Sequence, residues 1–428
     1  MFLEEAMKRT LCFILVLLML ILPVCAAVPT PSEAAPILSA QGVAVYDQQS
    51  GEFVYDKNID GSVPAAFTVK LMTVYLAMQS LSLNDTVVIP DGFLENVTAH
   101  SGLNFTIGEE VTVRDLCYCI LVKNANDACN ILALATGKTL EEFVGSMNQT
   151  AKELGMTSTH FADTHGESKD AYTTPRDAVK LITEFCKNEE LMQISNTTFY
   201  RMPATNKSKK REMYSSNLFI NAGSKYYYSR AVGIKLELDK QRGYCSATYC
   251  EFNNMQLICV AFNGGQDAGV YYGQLQNLLE WVRTQYKRVS VLSAGTPCGS
   301  SKVILCRSTD TVMLVSGEAF SYIVPADYDK ELITLSVQAP EQVEAPITEG
   351  DELGEATILY DGEPIGKVKV LAGQTVQRDA GMTIRYRLGQ LFSHPIVTAL
   401  IIIVIIGAVV YLGYMRAYIK KKKKKGKK

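Results

Sequence analysis

The chain has 428 residues, of which 47% are hydrophobic and 20% are charged. This length is enough for two or three domains, and this composition excludes a chain that is mainly disordered. Residues 10–415 contain 31 basic and 42 acidic residues, a net charge of −11, which argues against a nucleic-acid partner.

The N-terminal segment combines a basic start with a long apolar run. From Met7 it reads MKRTLCFILVLLMLILPVCAA and ends in small residues. This arrangement predicts a secretory signal peptide over residues 1–27, with cleavage after Ala27. The body of the protein is therefore expected outside the cytoplasm.

Residues 37–288 are predicted to form one domain that contains both strands and helices. The segment 42–60 alternates around the turn DQQSG, so it predicts a hairpin, and the apolar spacing over 71–78 predicts a buried helix. Thr139 and Glu142 form a capping-box pattern at the start of a later helix. The other predicted helices lie at 113–137, where the polar letters KNAND interrupt the apolar pattern, 139–156, 173–188 and 271–287, and the other strands lie at 226–238, 243–252 and 255–264.

The sequence pattern changes after residue 290. Short alternating runs over 290–375 predict a small all-β domain, and a polar amphipathic linker follows at 376–395. Residues 396–414 are nineteen residues without a charge, which as a helix span about 28 Å, close to the hydrocarbon thickness of a bilayer. Because residues 415–428 are rich in lysine, the positive-inside rule predicts a single-pass helix with a cytoplasmic polylysine tail.

Three polar positions stand out in these apolar surroundings. Lys70 lies at the start of the predicted buried helix, Asn124-Ala125-Asn126 interrupts the next helical region, and Lys235-Leu236-Glu237 lies in a predicted strand. Their order resembles that of the D-alanyl-D-alanine carboxypeptidases, the low-molecular-mass penicillin-binding proteins of bacterial cell walls. Segments 148–166 and 324–370 also resemble that family, in its catalytic domain and in the β-rich domain that follows it.

The resemblance implies the α/β (α+β) fold of the serine β-lactamases and D,D-peptidases, in which an antiparallel sheet with flanking helices lies beside a helical lobe. The family's first motif is Ser-x-x-Lys, in which the lysine takes the proton of the serine nucleophile. This chain keeps Lys70, but Phe67 stands at the serine position, and a phenyl ring cannot attack a carbonyl carbon. Thr68 is a poor substitute, because it lies about 200° around the helix from the lysine.

The other two family motifs are also altered. In the second, Ser-x-Asn, the amide is kept as Asn126, but Asn124 replaces the hydroxyl. In the third, Lys-Thr-Gly, which binds the terminal carboxylate of the substrate, Lys235 is kept. Leu236 offers no hydrogen bond to that carboxylate, and Glu237 adds a negative charge close to where it would bind.

Each retained polar residue also has a structural interpretation. Lys70 either binds an anionic group or pairs with an acid distant in sequence, and Lys235 either binds a ligand or solubilises an edge strand. Asn126 is interpreted as a residue that bonds buried backbone, and His165 as a structural residue in a loop near the site.

The sequence therefore predicts a catalytically degenerate carboxypeptidase homologue that acts in peptidoglycan metabolism by binding or scaffolding. The alternatives are an active serine D-Ala-D-Ala carboxypeptidase that trims stem peptides and a structural cell-surface protein. The expected location is the bacterial cell membrane, and the expected partners are a peptidoglycan stem peptide or cell-wall proteins. No cofactor or metal is expected, because zinc-type cysteine spacing is absent from the sequence.

Overall fold

The computed structural model of the protein describes residues 28–31, 33–98, 102–239 and 243–425. The predicted signal peptide, residues 1–27, lies outside the described residues. The described chain divides into two compact units, one of residues 28–289 with 321–328 and the other of residues 290–320 with 329–425.

The larger unit contains a five-stranded antiparallel sheet. Its strands are β1 (Gly42–Asp47), β2 (Glu52–Lys57), β9 (Ala231–Asp239), β10 (Gly243–Phe252) and β11 (Met255–Phe262), in the spatial order β2-β1-β11-β10-β9. The predicted hairpin over 42–60 is confirmed as the β1–β2 pair. Strand β9 forms one edge of the sheet and is paired with β10 alone.

Helices cover both faces of this sheet. Along β11, Ile258 and Val260 join one apolar cluster, whereas Leu257 and Cys259 join the other. This alternation follows from the two-residue period of a strand. The first cluster includes helix α5 (Pro175–Cys186), and the second includes helix α7 (Ala268–Gln285).

The helical lobe surrounds one helix that is apolar apart from Lys70 and two threonines. Helix α1 (Phe67–Ala77) is buried along most of its length, as expected for a helix that is hydrophobic on every side. The helices that pack around it, besides α5, are α2 (Val113–Leu121), α3 (Asn126–Ala135) and α4 (Leu140–Glu153), and a short helix α6 (Glu189–Ser195) follows α5.

Local sequence explains where these helices begin and end. The capping box of Thr139 and Glu142 is confirmed at the start of α4. The apolar region predicted at 113–137 is two helices, because Asn124 has a φ angle of 62°. Asparagine tolerates this left-handed conformation, which cannot continue a right-handed helix.

Six short strands of the larger unit form two-stranded ladders. Strand β3 (Val63–Pro64) pairs with β6 (Tyr172–Thr173), β4 (Thr86–Val88) pairs with β5 (Glu110–Thr112), and β7 (Phe199–Met202) pairs with β8 (Arg211–Tyr214). Strands β12 (Tyr286–Leu292) and β15 (Phe320–Pro325) form a further two-stranded sheet.

The smaller unit has a six-stranded sheet, and its all-β character confirms the prediction for this region. Its strands are β13 (Pro297–Ile304), β14 (Thr311–Ser316), β16 (Ile333–Gln338), β17 (Gln342–Glu344), β18 (Glu352–Tyr360) and β19 (Glu363–Ala372), in the order β16-β18-β19-β14-β13-β17. Helices α8 (Ala380–Ser393) and α9 (Pro395–Lys425) follow. Within α9, Pro395–Arg416 is long and apolar enough to cross a membrane.

Candidate functional site

Lys70 lies in the first turns of α1 and has only 1% of its surface exposed. Its ammonium donates hydrogen bonds to the Glu237 carboxylate at 2.9 Å and to the backbone carbonyl of His165 at 2.5 Å. Burial is the largest single effect and acts to lower the pKa of Lys70, but the charge and hydrogen bond of Glu237, together with smaller contributions from Cys129 and Asp163, raise it overall. Lys70 is therefore held as a charged partner of Glu237, and an ammonium cannot act as a base.

The N-terminal residues of α1 present no nucleophile. The Phe67 ring is fully buried and stacks on the ring of Phe262 in β11, with centroids 5.1 Å apart and planes at 19°. Thr68 is also fully buried, and its hydroxyl donates to the backbone carbonyl of Ala65 at 2.5 Å. The Phe67 ring therefore packs in the core, and the Thr68 hydroxyl is hydrogen-bonded to the backbone just before α1.

The loop that supplies the His165 carbonyl is held tightly against α1. The Asp163 carboxylate accepts hydrogen bonds from the backbone N–H groups of His165, Gly166 and Ser168 at 3.1, 2.5 and 2.6 Å. Gly166 has a φ angle of 90°, and a Cβ atom there would lie 2.9 Å from the carbonyl oxygen of Ala66. Burial, with help from the Lys70 charge, lowers the pKa of the His165 side chain.

Lys235 is the second buried lysine, with 1% of its surface exposed. Its ammonium donates to the backbone carbonyls of Ile120 and Leu121 at 2.5 and 3.0 Å. These carbonyls belong to the C-terminal turn of α2, where the helix leaves its acceptors unpaired and favours a positive charge. The interpretation of Lys235 as a solubilising surface charge is wrong, because the side chain points into the protein and caps a helix.

Lys235 gives the fold a specific dependence on pH. Burial, reinforced by the Lys70 charge, lowers the pKa of Lys235 to about 7. Between pH 7 and the ordinary lysine pKa of 10.5 the unfolded chain binds more protons than the folded chain, so this residue makes the protein more stable as pH rises. We expect the free energy of unfolding of the wild type to rise from pH 7 to pH 9 relative to that of Lys235→Met. Urea titrations at both pH values test this, and a constant difference between the two proteins would contradict it.

The outer edge of β9 is occupied by side chains of the protein itself. The Asn124 amide donates to the Leu236 backbone carbonyl at 3.0 Å and to the Ser216 hydroxyl at 2.9 Å. The Leu236 side chain packs in the apolar cluster on the face of the sheet that α7 covers. No sequence pattern identifies Ser216, one of two adjacent serines in a loop, so sequence reasoning missed it. A peptide strand cannot pair with β9 at Leu236 without displacing Asn124.

We expect Asn124→Ala to lower the free energy of unfolding by about 2 kcal/mol, with about 1 from the lost bond to Leu236 and about 1 from the left-handed backbone. Asn124→Gly loses the same bond but adopts the backbone conformation freely, so it should cost only about 1 kcal/mol. Urea unfolding of both variants measures the difference. Equal losses of unfolding free energy in the two variants would show that the left-handed backbone of Asn124 contributes nothing to the difference in stability.

Lys70, Lys235 and Glu237 share one buried region, in which each lysine is within electrostatic reach of the other and of the carboxylate. We call these three residues the lysine site. Cys129 of α3 is also within reach of both lysines, but burial raises the pKa of its thiol to about 12, so it is not a reactive nucleophile. Asn126 is the first residue of α3 and is buried.

A neighbouring cavity of about 240 Å³ is acidic, because Glu95, Glu141 and Asp163 contribute to its lining together with His165. These carboxylates, like Glu237, oppose the binding of an anionic ligand. Among the residues that the structure describes, no three His, Cys, Asp or Glu side chains are grouped so that they could hold a metal ion.

Two family models match this chain in sequence. Residues 30–266 match the D-alanyl-D-alanine carboxypeptidase model, and residues 286–378 match the C-terminal domain of penicillin-binding protein 5. Among curated proteins, the chain is 24% identical over 352 residues to D-alanyl-D-alanine carboxypeptidase DacF of Bacillus subtilis, which covers 80% of this chain and 87% of the relative. It is 29% identical over 230 residues to a Streptomyces D-alanyl-D-alanine carboxypeptidase, which covers 51% of this chain and 79% of the relative.

Solved structures share the fold. Penicillin-binding protein 5 of Haemophilus influenzae superposes with a TM-score of 0.65 at 21% identity, over 81% of this chain and 100% of the other. Penicillin-binding protein 3 of Streptococcus pneumoniae superposes with a TM-score of 0.62 at 19% identity, over 80% of this chain and 100% of the other. The fold class predicted from the sequence is confirmed. This chain belongs to the D-alanyl-D-alanine carboxypeptidase family of low-molecular-mass penicillin-binding proteins, which act in cell-wall metabolism.

Proposed function

We propose that this protein is a catalytically inactive, membrane-anchored member of its family that binds or scaffolds other components of the cell wall. The observation that carries the proposal is the ion pair between Lys70 and Glu237, at 2.9 Å. In the family motif the lysine takes a proton from a serine hydroxyl. Here the same lysine is bound to a carboxylate, and Phe67 occupies the serine position.

Glu237 also supports the loss of substrate binding. By resemblance to the family, its strand position lies where the terminal carboxylate of the stem peptide would bind. Glu237 places a carboxylate of the protein itself beside both lysines of the lysine site. A substrate carboxylate would therefore meet a like charge, and Lys70 would have to break its own ion pair to bind it.

The retained polar residues have structural roles in this proposal. Lys70 holds the loop at His165, Lys235 caps α2, and Asn124 closes the edge of β9. These contacts join the helical lobe to the sheet. They support a protein that keeps the family's fold while its active centre has become part of the core.

Two activity measurements test the proposal. The full chain, in detergent, should release no D-alanine from a peptide ending in D-Ala-D-Ala above a no-protein control, and it should cosediment with purified peptidoglycan. Release that disappears in Lys70→Met would restore the enzyme interpretation. Absence of both release and cosedimentation would favour a structural surface protein.

Membrane anchoring is the second part of the proposal. It is supported by the apolar segment Pro395–Arg416 and by the lysines that follow it. A variant that ends at residue 394 should leave the membrane fraction, and externally added protease should digest the body of the full chain in intact spheroplasts. A truncated variant that stays in the membrane fraction, or a body protected from protease, would contradict this part.

A further inference from the structure

The hairpin of β7 and β8, residues 199–214, is basic in an acidic part of the chain. It contains five basic residues and one acidic residue, whereas residues 28–198 contain 10 basic and 22 acidic residues. We call it the basic hairpin. Four of its five basic residues lie within the letters NKSKKR (206–211), at and just after the turn between the strands.

The basic hairpin is fixed to the body of the larger unit along its inner face. Arg211 donates to both oxygens of the fully buried Glu109 carboxylate, at 2.7 and 3.0 Å. The Tyr200 ring stacks on Tyr118 of α2 with centroids 3.6 Å apart, and the Tyr200 hydroxyl donates to Asp115 at 2.7 Å. These contacts hold the turn in place, so binding there would cost little ordering entropy.

The turn of the hairpin is anchored through its backbone and side chains. The Asn206 amide donates to the carbonyl of Gly108 at 3.1 Å, and its oxygen accepts from the backbone N–H of Glu110 at 2.9 Å. The Lys207 ammonium donates to the backbone carbonyl of Ile107. Lys209 and Lys210 are exposed, and neither forms an ion pair with any residue that the structure describes.

The outer face of the hairpin adds apolar area at the end of the ladder away from the turn. Phe199 and Tyr214 lie opposite each other in the ladder, with ring centroids 4.9 Å apart, and are 38% and 68% exposed. Arg201, next along the same face, lies over the Phe199 ring and pairs with Glu212. A hairpin with free ammonium groups at its turn and exposed aromatic rings at its other end favours an extended ligand with both apolar and anionic parts.

From this arrangement we propose that the basic hairpin is a docking surface for a linear phosphodiester polymer of the cell envelope. Such a polymer carries one full negative charge per repeat, which Lys209 and Lys210 would neutralise as point charges. Its polyol carbon atoms would contact the exposed Phe199 and Tyr214 rings. The acidic residues elsewhere in the unit repel a polyanion, so they direct it to this hairpin.

The choice of polymer rests on the extracytoplasmic location proposed above, whereas the binding itself can be measured independently of that location. Binding of the full chain in detergent to poly(glycerol phosphate) is followed by isothermal titration at several salt concentrations. In every sample Lys420–Lys425, Lys427 and Lys428 are changed to glutamine, because the C-terminal lysines would also bind a polyanion. We expect K209E/K210E to weaken binding at least tenfold and to reduce the slope of log K against log salt by about 1 to 2.

The matched control is K138E/K152E, which makes the same change in net charge at two exposed lysines of the same unit. It should bind the polymer as the parent protein does. Equal weakening in both variants would show a net-charge effect and would overturn the proposal. Binding to poly(glutamate) or to anionic phospholipid vesicles without binding to poly(glycerol phosphate) would overturn it as well, as would no binding at all.

Discussion

Glu237→Gln should lower the free energy of unfolding of the larger unit by about 3 kcal/mol, because it leaves the buried Lys70 ammonium without its counter-charge. Broken buried ion pairs cost about 3 to 5 kcal/mol, and the lower end applies because the Glu237 side chain is 21% exposed. Trp281, the single tryptophan of the chain, lies in α7 of the same unit, so its fluorescence reports urea unfolding of that unit.

The control for this prediction is the double variant Lys70→Met/Glu237→Leu. It removes both charges, so no unpaired charge stays buried, and replacing a buried ion pair by apolar side chains is often neutral or stabilising. We expect the double variant to be more stable than Glu237→Gln. A single variant as stable as the wild type would contradict a structural role for the ion pair, and so would a double variant less stable than the single.

Phe67→Ser should also destabilise the larger unit strongly, by about 4 kcal/mol, because it removes a fully buried ring and leaves a cavity against Phe262. It restores the family's serine but should not restore activity. The adjacent lysine is charged and bound to Glu237, so it cannot take the proton of a new hydroxyl. Urea unfolding followed by Trp281 fluorescence gives the stability, and a fluorescent penicillin tests acylation.

The matched control is Phe67→Leu, which keeps most of the apolar volume and should cost only about 1 kcal/mol. We expect the wild type and Phe67→Leu both to be folded and to remain unacylated by the penicillin. Acylation of Phe67→Ser, but not of the wild type or Phe67→Leu, would show that Lys70 is available as a base. The ion pair would then not block the chemistry.

Periodic patterns predicted several helices and strands, whereas the fold class came from the family resemblance. The alternation along β1 and the capping box of Thr139 with Glu142 are local signals, because neighbouring residues determine them. The resemblance supplied the order of the three motifs and therefore the fold class. Local propensity also placed a break between α2 and α3, although the sequence did not reveal that a left-handed Asn124 makes it.

The contacts of the site could not be predicted in the same way. Glu237 meets Lys70 across 167 positions of sequence, and only the folded chain brings them together. A lysine in an edge strand is usually exposed, and nothing in the letters GIKLEL shows that Lys235 points toward the end of α2. Ser216 was missed for the same reason, because its role depends entirely on its distance from Asn124.

The central claim, that this family member has no working nucleophile, is tested most directly by intact mass spectrometry after incubation with benzylpenicillin. The full chain is kept in detergent, and Trp281 fluorescence verifies that it is folded. We expect an unchanged mass for the wild type at every incubation time. A mass increase of one penicillin molecule would contradict it, and peptide mapping would then locate the nucleophile.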